Sequence, residues 1–151
     1  MSAQIQNAHL LTDIFDRWPS FHDAEVVSVD LDRIGPTLTA SIHLWRTLTE
    51  TDDKGYFKQA DHTLAKLRFT EVVLESLSVF NHQNVLNHLE ILDFRENPFE
   101  SPIDEFPQRL ERMIFRGLFH ESYGLRASFA CRGIEVVSVE AMPDELRLGP
   151  D

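Results

Sequence analysis

The chain has 151 residues, of which 42% are apolar and eleven are phenylalanine, and its formal net charge is −11. That is enough apolar material for one continuous core and too much for an intrinsically disordered chain. The acidic balance excludes phosphate-type nucleic-acid binding and an anionic membrane surface, and favours encounter with a basic partner.

No apolar run approaches the ~20 residues of a membrane helix, and residues 1–7 are polar and lack the features of a secretory signal. Cys131 has no second cysteine to pair with, which fits a reducing cytoplasm and a small core residue better than a reactive thiol.

In chain order, Leu11, Ile14, Phe15 and Trp18 fall at i, i+3, i+4 and i+7 and predict a helix over about 8–17, with Asn7 as N-cap and Pro19 as the stop. Residues 24–32 alternate, with Val27, Val29 and Leu31 on one side. A turn at Arg33-Ile34-Gly35-Pro36 leads into residues 37–45, where Leu38, Ala40, Ile42 and Leu44 share a face and His43 and Trp45 take the other. From Arg46 to His62 the pattern turns polar, as in a long loop or a solvent-exposed extension of the hairpin.

Strands are expected over 64–69, 72–80 and 85–94, with a break at 80–84. Pro98, Pro102 and Pro107 exclude a regular helix or central strand across 95–108, so this stretch is a surface loop. Residues 110–118 fit a strand better than a helix because short Gly-containing turns follow. Leu125, Ala127, Phe129 and Cys131 alternate, Arg132-Gly133 turns, and a further strand follows with a register change between Val136 and Val137, so this part reads as the clearest hairpin. The expected fold is α+β. It is one domain over 1–151: a mainly antiparallel β-sheet over about 24–141, an N-terminal helix packed on one face, and a frayed tail over 142–151.

Motifs for chemistry are scarce. There is no G-x-S-x-G, no phosphate-cradling glycine loop and no H-E-x-x-H, so no catalytic residue, metal ligand or cofactor is assigned. The densest cluster of ionisable groups is His22, Asp23 and Glu25. A metal or small-molecule site would need them to converge, with His43 from the neighbouring strand as a further ligand. The plainer reading has Asp23 accepting backbone N–H bonds at the helix-to-strand turn and His22 packing beside Trp18. His9, His62, His82, His88 and His120 form no ligand motif.

Charge is unevenly distributed. Residues 71–105 hold eight acids and one base, Arg95, whereas 109–132 hold five arginines against Glu111 and Glu121. Glu96, Glu100, Asp104 and Glu105 on the Pro-rich loop are therefore the candidate surface for a basic protein partner. A solvated loop that maintains solubility accounts for the same charges. A homodimer through an exposed strand edge is a third option.

The string Trp18-Pro19-Ser20-Phe21-His22-Asp23-Ala24-Glu25-Val26, with Phe80-Asn81-His82-Gln83-Asn84 and Ala127-Ser128-Phe129-Ala130-Cys131, resembles the bacterial immunity protein 50 family over about residues 12–140. The resemblance implies a cytoplasmic antidote that binds a cognate toxin domain, without catalysis or cofactor. It also implies that Trp18, Phe21 and Asp23 are scaffold residues. The alternative is a small enzyme or ligand- or metal-binding domain built on His22, Asp23 and Glu25.

Overall fold

The computed structural model describes residues 4–100, 105–143 and 145. Helix α1 (His9–Phe15) is followed by β1 (Glu25–Asp32), β2 (Thr37–Thr51), β3 (Phe57–Thr70), β4 (Val73–Ser78) and β5 (Val85–Asp93). A single helical turn, α2 (Pro107–Leu110), precedes β6 (Phe115–Tyr123), β7 (Arg126–Cys131) and β8 (Gly133–Ala141). The strands form one antiparallel sheet in the order β4-β7-β6-β5-β1-β2-β3-β8. This is the expected α+β architecture with a helix against the sheet.

Helix α1 is shorter than its periodicity predicts. Asp16 turns left-handed at φ 68° and ends it before Pro19 is reached. Ala8, not Asn7, is the N-cap, and it has no side-chain cap; Asn7 itself adopts a positive φ, and its amide points to the Val136 carbonyl. The far end is better satisfied. The Arg46 guanidinium donates to the Ile14 carbonyl and pairs with Asp16 at 3.0 Å, placing a cation at the negative end of the helix. Leu11 is fully buried, and Phe15 and Trp18 pack against the core.

Strand β1 departs from simple alternation. Val26 pairs with Ile42 and Ser28 with Ser41, so Val27 is an extra residue in a bulge. The bulge places Val26, not Val27, in the core with Val29 packed against it, while Val27 and Leu31 are exposed. Residues 46–62 resolve as a hairpin extension: β2 and β3 run on past both neighbouring strands and pair only with each other.

The C-terminal stretch is the main correction. β7 and β8 do not pair with each other. β7 lies between β4 and β6, and β8 lies beside β3. Phe69↔Ile134, Thr70↔Gly133, Val73↔Ala130 and Leu74↔Phe129 step one for one, so a single register runs through the corner between the two halves. β3–β4 and β7–β8 are thus two long arms that bend together. The Arg132 amide donates to the Thr70 carbonyl at 2.9 Å in the bend. The arms meet closely there: a Cβ on Gly133 would lie 2.5 Å from Thr70 Oγ1. The register change expected near Val136 and Val137 is present, with Leu67 opposite Val136 and Lys66 opposite Ser138.

Both faces of β7 are covered. On the inner face Phe129 meets Phe69 edge-on at 4.8 Å and Phe119 at 5.8 Å, within a core that includes Leu38, Ile42 and Leu67. On the outer face Ala130 and Val73 pack with Phe94, Phe99 and Met113. This smaller cluster seats the loop after β5 on the sheet. Met142 is buried, and its amide donates to the His62 carbonyl.

Candidate functional site

The acidic loop is held from inside. Phe94 and Phe99 meet edge-on at 5.2 Å, and the Arg116 guanidinium lies 5.7 Å from the Phe99 ring centre. Arg116 also donates to the Pro98 carbonyl at 2.9 Å. On its other side it pairs with Glu75 at 3.6 Å, and the Ser128 hydroxyl donates to the same Glu75 oxygen at 2.6 Å. With its base fastened, the loop turns Glu96, Glu100 and Glu105 outward; all three are exposed. No ion pair to these three is seen among the described residues, and Asp104 lies outside them. Three other acids of the same stretch are engaged: Glu71 pairs with Arg112 and Arg132, Glu75 with Arg116, and Glu90 with His120. Phe106 is 59% exposed beside Glu105 and borders a shallow cleft of about 400 Å³ against residues 72–75.

The tryptophan-to-valine segment is a seam. The Asp23 amide donates to the Leu86 carbonyl, the Leu86 amide to Ala24, and the Leu89 amide to Ser20, so residues 20–24 run along β5 and extend the short β1–β5 contact. Phe21 and Asp23 both take positive φ there. Burial of the Phe21 ring, edge-on to Trp18 at 5.8 Å, offsets the strain at that position. His22 does not pack beside Trp18: it is exposed and its Nδ1 meets the Asn87 carbonyl at 2.8 Å. Asp23 is exposed as well, and burial raises the Glu25 carboxyl above its ordinary value, opposed by a hydrogen bond with Gln83. His22 Nε2 lies 3.7 Å from Asp23 Oδ2, but His22, Asp23 and Glu25 do not form a three-ligand group. His43 is buried and bonds ring to ring with His62 at 2.9 Å, beside Trp45.

The second motif stretch has a clear task. Asn84 is buried, and its Oδ1 accepts from the Asn81 amide at 3.0 Å and the Leu125 amide at 3.1 Å. Its Nδ2 donates to the carbonyls of Asn81 at 2.8 Å and Val26 at 3.3 Å. One amide therefore joins the 80–84 turn, the β1 bulge and the start of β7. In the third stretch Ala127, Phe129 and Cys131 point inward, and burial pushes the Cys131 thiol up to about 12, against a small opposite pull from the Gly133 backbone.

The immunity protein 50 family model matches residues 7–142. The chain belongs to the immunity protein 50 family. No curated protein and no solved structure gives a significant match. As an immunity protein 50 member the chain is an immunity protein of a toxin–immunity system. Part of the strings that carried the resemblance is occupied structurally, while His22, Asp23, Phe80 and His82 are exposed. Phe21, Asn84, Phe129 and Cys131 are all buried.

One grouping had no signal in the sequence. His88, Glu90 and His120 bring their ligand atoms within 4.8 Å of one another. Glu90 and His120 are 30 residues apart along the chain, and the β5–β6 register joins them. Among the described residues, no helix is long and apolar enough to cross a membrane.

Proposed function

We propose that this immunity protein neutralises a cognate toxin domain by protein–protein contact, using the loop that carries Glu96, Glu100, Asp104 and Glu105. The observation that carries this reading is the division of labour among the acids. Glu71, Glu75 and Glu90 are paired within the fold, whereas Glu96, Glu100 and Glu105 are exposed around a loop whose base is fastened by Phe99 and Arg116. A preorganised acidic surface beside the exposed Phe106 ring suits a partner with a basic surface, because an aromatic anchor supplies contact area and the charges steer encounter. The chain acts as one domain, in the cytoplasm, and works by occlusion without bond-making.

A second surface is favoured by a separate observation. The β2–β3 hairpin projects past its neighbouring strands, and Tyr56 (70% exposed) and Phe57 (62% exposed) stand at its tip beside Asp52 and Asp53. It is a second candidate arm for the same partner.

The test is co-expression and pull-down with the cognate toxin domain. Glu96→Lys with Glu100→Lys should slow association about tenfold or more and weaken its salt dependence. Tyr56→Ala with Phe57→Ala tests the hairpin in parallel. Full protection by the charge-reversed protein with an unchanged association rate removes the loop, and loss only in the hairpin variant transfers the contact there.

A further inference from the structure

We infer that His88, Glu90 and His120 form a binding site for one late first-row divalent metal ion of the Zn²⁺ class. His88 and His120 are direct register partners across β5 and β6, and their rings stack at 4.3 Å with planes 23° apart. Glu90 is two residues beyond His88, so it returns to the same face of the strand while Leu89 points into the core. His120 Nε2 lies 3.0 Å from Glu90 Oε1. The ligand atoms of the three side chains all lie within 4.8 Å of one another, close enough to bind one ion with modest side-chain rotation.

The chemistry of the donor set selects the ion. Two imidazoles and one carboxylate suit Zn²⁺ and its neighbours in the series; Mg²⁺ and Ca²⁺ prefer oxygen ligands alone. An ion bound at His120 Nε2 would replace the contact this atom now makes with Glu90 Oε1. The site is accessible, with the His120 and Glu90 side chains 39% and 38% exposed. His88 and Glu90 also line a cleft of about 510 Å³ whose opposite wall includes Arg17, Trp18, Pro19 and Ser20. Three protein ligands leave open coordination positions for water or for a donor group from a partner.

The other close histidine pair lacks this arrangement. His43 is buried within its contacts with His62 and Trp45, and among the described residues no carboxylate completes a three-ligand group there.

The experiment uses full-length protein stripped with a chelator and titrated with ZnCl₂, and separately with CoCl₂ as a visible-absorption probe. Saturation at one ion per chain is expected, with imidazole-type Co²⁺ bands and no competition from excess Mg²⁺. His88→Gln, Glu90→Gln and His120→Gln should each weaken Zn²⁺ binding by more than about tenfold, whereas His22→Gln should not change it. X-ray absorption on the unsubstituted zinc complex keeps the test independent of how the variants fold, and it should show two imidazole ligands. Absence of saturable Zn²⁺ binding overturns the site. So does binding that survives in the His88→Gln/His120→Gln double variant, or a zinc spectrum without imidazole ligands.

Discussion

Arg116 holds Pro98: a guanidinium on β6 donates to the loop carbonyl at 2.9 Å, while the same group faces Glu75 across the outer surface of the sheet. The acidic loop is thereby tied to three strands through one side chain, since Glu75 is on β4 and Ser128 on β7. Arg116→Met keeps the length of the side chain and removes the charge. It should lower stability by roughly 2–3 kcal/mol, because Glu75 loses its cation and the Pro98 carbonyl its donor. Urea unfolding measures the loss, and hydrogen exchange should quicken over residues 94–99 before the rest of the sheet responds. A variant within about half a kcal/mol of the parent, a change ordinary for surface sites, would show that the loop is held by Phe99 alone.

Asn84 gives a sharper test, because its two ends do different work. Asn84→Leu leaves the Leu125 amide and the Val26 carbonyl without partners and should cost about 2–3 kcal/mol. Asn84→Asp keeps the acceptor for the Asn81 and Leu125 amides but turns the donor end into an oxygen facing two carbonyls. Its carboxyl should be protonated more readily in the folded chain than in the unfolded one. The stability of Asn84→Asp should therefore recover as pH falls and drop as pH rises through the folded-state value. Thermal unfolding across acidic to neutral pH reads this directly, and a pH-independent deficit relative to the parent would rule the account out.

The Cys131 thiol, buried and pushed up to about 12, should be inert to alkylation at mildly alkaline pH in the folded protein and react fully in denaturant. Its contribution to stability is complete below the ordinary thiol value of 9.0 and is lost as pH rises from there to about 12, where the folded form also ionises. Mass spectrometry after iodoacetamide treatment decides the first point. Rapid native labelling would mean that the corner between β7 and β8 opens readily.

Glu25 carries a folded-state value raised by burial, so its contribution is fully present below the unfolded carboxyl value and is lost as pH rises through the folded one. Glu25→Gln should match the parent in acid and exceed it slightly at neutral pH. Glu96→Gln removes the same charge at an exposed site and serves as the comparison, since it relieves only general self-repulsion. Equal behaviour of the two variants would assign any gain to net charge and none to the seam.

Alternation along the chain was sufficient to reveal the class of fold and most of the strands, because a strand's two faces are written in neighbouring residues. Leu38, Ala40, Ile42 and Leu44 are buried as their spacing requires. The W-P-S-F-H-D-A-E-V string was sufficient to point to the family. Period two says which way a side chain faces and nothing about which strand lies beside it. The partners of β7 and β8 therefore emerged only from the fold, where two bent arms share one register around a corner instead of folding back as a hairpin. The bulge at Val27 was hidden for a related reason: one extra residue inverts the face of those before it and leaves composition unchanged. His88, Glu90 and His120 show the limit most plainly. Their convergence depends on a pairing between β5 and β6 that no local pattern encodes, whereas His22, Asp23 and Glu25, close in sequence, form no three-ligand group.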